Sequence, residues 1–333
     1  MICDTDLFTK LQVVVLLNMP RYRDDFETSR ILSDYIKSIE QDEDSMHKMR
    51  LDAVVIMQIY ELIFSISANN EDLEGMQDIL VRAKKASSCF HRKEAYAIYY
   101  NMLSEYYDIL LDGFYDTDNQ DEERVLNKML DAIEKTLFYS KQNISYDINH
   151  LYVKNILAKA TILMRSNRGT VRKIDKLITN AKKIIIENTT EYADVRLQYY
   201  LVCAWYYALV QDDKDMAEVF IEDALELSDV IIPTDLQKIE DVIIPCANIY
   251  FELYCYNQAM TLLYKGTRLC FKHINTDSYA FIRQQLYNHL FQVGIEAQQV
   301  EWCRKLIKLI EIENKEIVDD KNRVIIPEEV RSL

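Results

Sequence analysis

Residues 243–271 read IIPCANIYFELYCYNQAMTLLYKGTRLCF. Ala247, Tyr250, Phe251 and Tyr254 fall at i, i+3, i+4 and i+7, one face of a helix. Ala259, Leu263, Gly266 and Leu269 mark a second helical face. Between them, Cys255, Tyr256, Asn257 and Gln258 leave room only for a tight antiparallel turn. The small side chains of Ala247, Ala259 and Gly266 let two helix backbones approach closely. The stretch is therefore one helical hairpin.

The same register recurs outward from it. Aligning residues 173–181, 216–224 and 258–266 brings their last residues together, and extension in both directions gives Ala83, Ala132, Ala181, Ala224, Gly266 and Ile310. The intervals are 49, 49, 43, 42 and 44 residues, a repeat of supersecondary units. Helical periodicity predicts pairs at 4–18 with 24–40, 45–67 with 71–87, and 91–112 with 120–141. Further pairs are expected at 146–167 with 170–187, 190–211 with 213–230, 235–255 with 257–273, and 276–294 with 298–314. The fold class is all-α, with a repeat domain over residues 1–314, clearest from 146 onward, and a tail or start of a capping helix over 315–333. Pro245 lies inside a helical pattern and should free the carbonyl of Asp241, kinking or splitting that helix. The tetrapeptide Val-Ile-Ile-Pro occurs at 230–233, 242–245 and 324–327, so the tail reads as another first helix beginning near Pro327.

Ala217 to Leu227 (AEVFIEDALEL), and Tyr256-Asn257-Gln258-Ala259 followed by Leu263 and Gly266, resemble the second-helix signature of tetratricopeptide repeats. The units exceed that family's ~34 residues, by about two helical turns in the shortest case, and the usual first-helix Trp and Gly are mostly absent. The resemblance implies an α-solenoid, a right-handed superhelix of about seven antiparallel hairpins. The long-unit variants resemble the peptide-sensing portions of bacterial regulators, which usually carry an amino-terminal DNA-binding module. No Gln- and Leu-rich helix-turn-helix pattern precedes residue 45 here.

Composition narrows the functional classes. Five Gly and four Pro are too few for a β-sandwich or for an α/β fold with phosphate-cradling loops. The formal net charge of −15 and pI near 4.9 argue against nucleic acid, whose affinity comes mostly from a basic surface. One local exception is the run Arg165, Arg168, Arg172, Lys173, Lys176, Lys182 and Lys183, with only Asp175 against it; it reads as a solvated helix face able to receive a carboxylate or phosphate. No signal peptide or spanning segment is seen, so a cytoplasmic protein without membrane attachment is expected. Seven scattered Cys read as reduced core thiols. No nucleotide-binding, hydrolase or metalloprotease motif occurs, and Cys89 with His91 or Cys270 with His273 would each supply half a zinc site at most. No catalytic residue, metal or cofactor is expected.

The binding candidates come from a recurrence of Asn. Asn101, Asn155, Asn248 and Asn288 each precede by two residues a Leu or Tyr: Leu103, Leu157, Tyr250 and Leu290. If the second residue packs into the hairpin, the Asn points about 200° away. The family resemblance implies that first helices line the concave face and that Asn there clamps an extended peptide backbone, each amide donating and accepting one hydrogen bond. Glu105 and Glu252, one turn beyond Asn101 and Asn248, would hold a basic ligand side chain. Tyr100, Tyr107, Tyr254 and Tyr287 would form an aromatic wall. The expectation is a non-catalytic scaffold that binds a peptide or protein segment, with homodimerisation open. A sensory or dimerisation module of a larger bacterial signalling or transcription regulator, and less favoured a helical-repeat enzyme, are the alternatives.

Overall fold

The structure, a computed structural model, describes residues 30–34, 36–37, 53–70, 72–112, 119–141, 146–166, 168–187 and 192–331. The helix expected at 4–18, the start of that at 45–67 and the loop at 113–118 lie outside them. All described elements are helical, and no strand occurs among the described residues. The chain forms two compact units, residues 1–159 and 160–333. No described helix is long and apolar enough to cross a membrane.

The first unit contains α1 (Ala53–Asn69), α2 (Leu73–Phe90), α3 (Lys93–Asp112), α4 (Asn119–Ser140) and α5 (Tyr146–Arg165) as far as Lys159. Helix α1 pairs with α2 and α3 with α4, and α3 also packs on α1 and α2. Asp72 caps α2 by accepting the Gly75 N–H at 2.9 Å, satisfying one of the orphan donors of the first turn. Tyr60, Phe64, Met76, Ala83, Ile98 and Met102 build the core.

The second unit continues with α6 (Val171–Glu187), α7 (Ala193–Tyr206), α8 (Lys214–Ile231), α9 (Asp235–Lys238), α10 (Ile244–Glu252), α11 (Tyr256–Phe271), α12 (Asp277–Glu296), α13 (Val300–Glu313) and α14 (Glu328–Arg331). Neighbours pack as α7 on α8, α10 on α11, and α11 on α12. Their turns share one device. Asp212, Tyr254 and Gln298 have φ of 53°, 57° and 55°, the left-handed region that closes a helix. Tyr254 N–H donates to Phe251 O at 2.9 Å and Cys255 N–H to Tyr250 O at 2.8 Å. Gln298 N–H and Gln299 N–H do the same to Ile295 O at 2.9 Å and Gly294 O at 2.8 Å. These bonds end α10 at Glu252, so Tyr254, expected on the helical face, sits in the turn instead.

Two π turns interrupt the first helices. Residues Tyr207–Gln211 extend α7 in this way, and Asp213 N–H reaches back to Tyr207 O at 2.9 Å. Residues Ile239–Ile243 join α9 to α10, with the Ile244 N–H bonded to Ile239 O. This is the structural answer to Pro245, which cannot donate: the turn before it widens by one residue and the helical run continues.

The small-residue register is buried throughout: Ala83, Ala181 and Ala224 have no exposure, and Gly266 is also buried. A Cβ on Gly266 would stand 3.1 Å from Leu286 Cδ2 and 3.4 Å from Ile243 Cγ2, so a larger residue would separate α11 from its neighbours. In the tail, a 3₁₀ turn at Asp320–Asn322 leads through residues 323–327 to α14, which begins at Glu328, next to Pro327, the expected helix start. Ile317, Val324, Ile326 and Val330 are buried, each contributing about 1.5–3 kcal/mol relative to exposure. The Asn314 amide donates to Val324 O and accepts from Val324 N–H, both at 2.9 Å. The Gln284 amide donates to Ile325 O at 2.9 Å and accepts from Ile325 N–H at 2.7 Å. At about 1 kcal/mol net per bond, burial holds the tail and the amides set its register.

Candidate functional site

In the second unit, Arg165 at the end of α5, Trp205 and Leu209 of the α7 run, Asn248, Phe251 and Glu252 of α10, and His289 and Gln292 of α12 line a groove of about 580 Å³. Pro245 and Val293 complete its walls. The volume falls in the range of small-ligand sites, ~300–1,000 Å³. Trp205 and Phe251 are half-buried, Asn248 is half-buried, and Arg165, Glu252 and Gln292 are exposed. None of the side chains of Arg165, Asn248, Glu252 and Gln292 forms a hydrogen bond or ion pair with another described residue. The groove thus offers two amides, one cation and one anion beside two aromatic rings. Burial lowers the His289 pKa below its ordinary value, because desolvation disfavours the imidazolium.

The sequence-predicted residues divide into several environments. Asn248 and Glu252 line this groove. Asn288 is exposed one turn before Gln292 and accepts a hydrogen bond from Gln284 Nε2 at 2.9 Å.

Asn101 and Asn155 are both only 2 % exposed. Asn155 Nδ2 donates to Asn101 Oδ1 at 2.8 Å and to Leu151 O at 3.0 Å. Asn101 Nδ2 donates to Glu105 Oε1 at 3.1 Å and Glu61 Oε1 at 3.3 Å, while Lys154 Nζ donates to Glu105 Oε1 at 2.9 Å. The first unit therefore gathers Asn101, Glu105 and Asn155 into one network between first helices, satisfied by its own members.

Of the aromatic wall, Tyr100 stacks on Tyr139 of α4, centroids 5.8 Å apart, with Lys135 Nζ 5.2 Å over its ring. Tyr107 packs beside Tyr106 and under Lys128 of α4. Both are half-buried within their own hairpin. Tyr254 is 79 % exposed in its turn. Tyr287 is fully buried; its hydroxyl donates to Glu313 Oε2 at 2.5 Å, and Arg268 pairs with the same carboxylate. Burial, with the Glu313 carboxylate beside it, raises the Tyr287 pKa. It belongs to a core ion-pair cluster, not to a wall.

Gln284, Gln292, Arg165, Trp205 and His289 were not singled out by the Asn pattern. A signal for the first two was present: Gln284, Asn288 and Gln292 stand at i, i+4 and i+8, a stripe of amides along α12. One end of that stripe already grips the extended backbone of Ile325, and the other opens into the groove. No three or more His, Cys, Asp or Glu among the described residues are grouped to hold a metal ion. Neither a protein-family model nor a curated protein matches the chain.

Proposed function

We propose that this chain is a tetratricopeptide-like scaffold whose hairpins wind into a right-handed superhelix, and that it binds an extended peptide or protein segment without catalysis. The groove of the second unit is the binding site. Asn248 and Gln292 hold the backbone, Trp205 and Phe251 take an apolar side chain, and Arg165 and Glu252 take charged groups of opposite sign.

The observation that carries this reading is the pairing state of the amides. The side chains of Asn248 and Gln292 line the groove with no hydrogen bond to another described residue, whereas that of Gln284, eight positions before Gln292, meets the backbone of Ile325 through both its donor and its acceptor. The chemistry needed for a ligand backbone is already used by this helix on the chain's own tail. An amide able to both donate and accept matches a peptide unit better than any charged side chain does.

The test is a random-sequence peptide library screened against the wild-type chain and an Asn248→Ala, Gln292→Ala variant of matched helical circular dichroism. Loss of a two-bond amide clamp should weaken selected peptides by about tenfold for each residue removed. Equal affinities for both proteins would end the groove assignment.

A further inference from the structure

Two helices of the second unit carry opposite charges at matching intervals. On α6, Arg172, Lys176 and Lys183 are exposed, and at 100° per residue they lie within about 40° of one line. On α8, Asp215, Glu222 and Glu226 are exposed and span a similar arc. None of the six side chains has a hydrogen bond or ion pair with another described residue. Asp175 lies about 60° to one side of the basic line.

The intervals are four then seven residues on α6 and seven then four on α8. Each stripe is therefore about 16 Å long. Laid antiparallel, the helices bring Arg172 opposite Glu226, Lys176 opposite Glu222 and Lys183 opposite Asp215. Inside one chain both helices direct their apolar sides inward, through Ile174, Ile178 and Ala181 on α6 and Ala217, Ile221 and Ala224 on α8. The charged sides are left outward and unpaired.

We infer that α6 of one copy docks antiparallel on α8 of a second copy. The net charge of −15 opposes any encounter of two copies, but that repulsion acts at long range. At about 0.1 M salt it is screened beyond ~10 Å, while pairs in contact keep their attraction. A nucleic-acid duplex or an anionic bilayer carries its negative charge evenly and not at the intervals of the basic stripe; a second copy supplies an acidic stripe of the right length and spacing. The contact joins two different patches, so assembly closes into a ring or continues in rows according to the rotation from one copy to the next. Exposed ion pairs are weak, which makes the association dependent on concentration.

Sedimentation equilibrium of the full chain at rising concentration tests this. In about 0.1 M salt the average mass should climb above the 39.4 kDa monomer and return to it near ~1 M, where the screening length falls to ~3 Å. A variant with Arg172→Glu, Lys176→Glu and Lys183→Glu, and a second with Asp215→Lys, Glu222→Lys and Glu226→Lys, should each stay monomeric. Mixed in equal amounts they should associate again, because each then presents the stripe the other lacks. Both variants remain net acidic, so rescue on mixing cannot come from overall charge. A wild-type chain that stays monomeric throughout, association persisting in either variant alone, or a mixture that stays monomeric would each overturn the inference.

Discussion

Asn155 Nδ2 donates to Asn101 Oδ1 at 2.8 Å, across fifty-four residues of chain and between two first helices. Both amides are buried, so truncating either strands a polar partner away from water. Asn101→Ala or Asn155→Ala should lower unfolding stability by about 1–3 kcal/mol, read as a reduced urea midpoint. An unchanged midpoint would show that water replaces the lost amide without cost.

Non-glycine residues hold the left-handed position in three hairpin turns of the second unit. Relieving this conformation is worth roughly 1 kcal/mol. Tyr254→Gly and Gln298→Gly should each raise the melting temperature, since both side chains are exposed. A fall in melting temperature for both would mean that the turn's side-chain contacts outweigh its backbone strain.

His289 sets a pH dependence whose sign follows from its burial. Its folded pKa lies below the ordinary 6.5, so the unfolded chain binds the extra proton as pH drops through that value. Its stability contribution is complete above 6.5 and declines as pH falls below it. His289→Gln should flatten the melting temperature between about pH 6.5 and 5. An unaltered profile would assign the acid sensitivity to other groups.

Burial pushes the thiols of Cys203, Cys246 and Cys270 up to about 12. At pH 8 they are protonated as well as enclosed, and thiol reactivity requires the thiolate. A chromogenic disulfide reagent should leave these three untouched in the native chain and modify them after denaturation. Rapid native labelling at any of them, located by mass spectrometry, would place that thiol at the surface.

Helix positions were legible because apolar periodicity and small-residue register are local signals. The second helices at 171–187, 214–231 and 256–271 lie within a few residues of their expected spans. The fate of the Asn side chains was not legible in the same way. Pointing about 200° from one packed face does not guarantee solvent when a first helix has neighbours on several sides, as α3 has in α1, α2 and α4. Asn248 kept its groove position because Trp205 and His289 leave space across from it.

The repeated tetrapeptide makes the same point. Val230 is 82 % exposed at the end of α8, Val242 is fully buried in a π turn, and Val324 is 5 % exposed in extended chain. Four identical residues took three conformations because their neighbours differed, a tertiary effect that overrides local preference.

The two π turns carry an evolutionary consequence. A wider turn of this kind accommodates one added residue by shifting the hydrogen-bond ladder from four to five positions locally. An insertion or deletion of one residue in a first helix can therefore be absorbed within a single turn, leaving the hairpins on either side in contact.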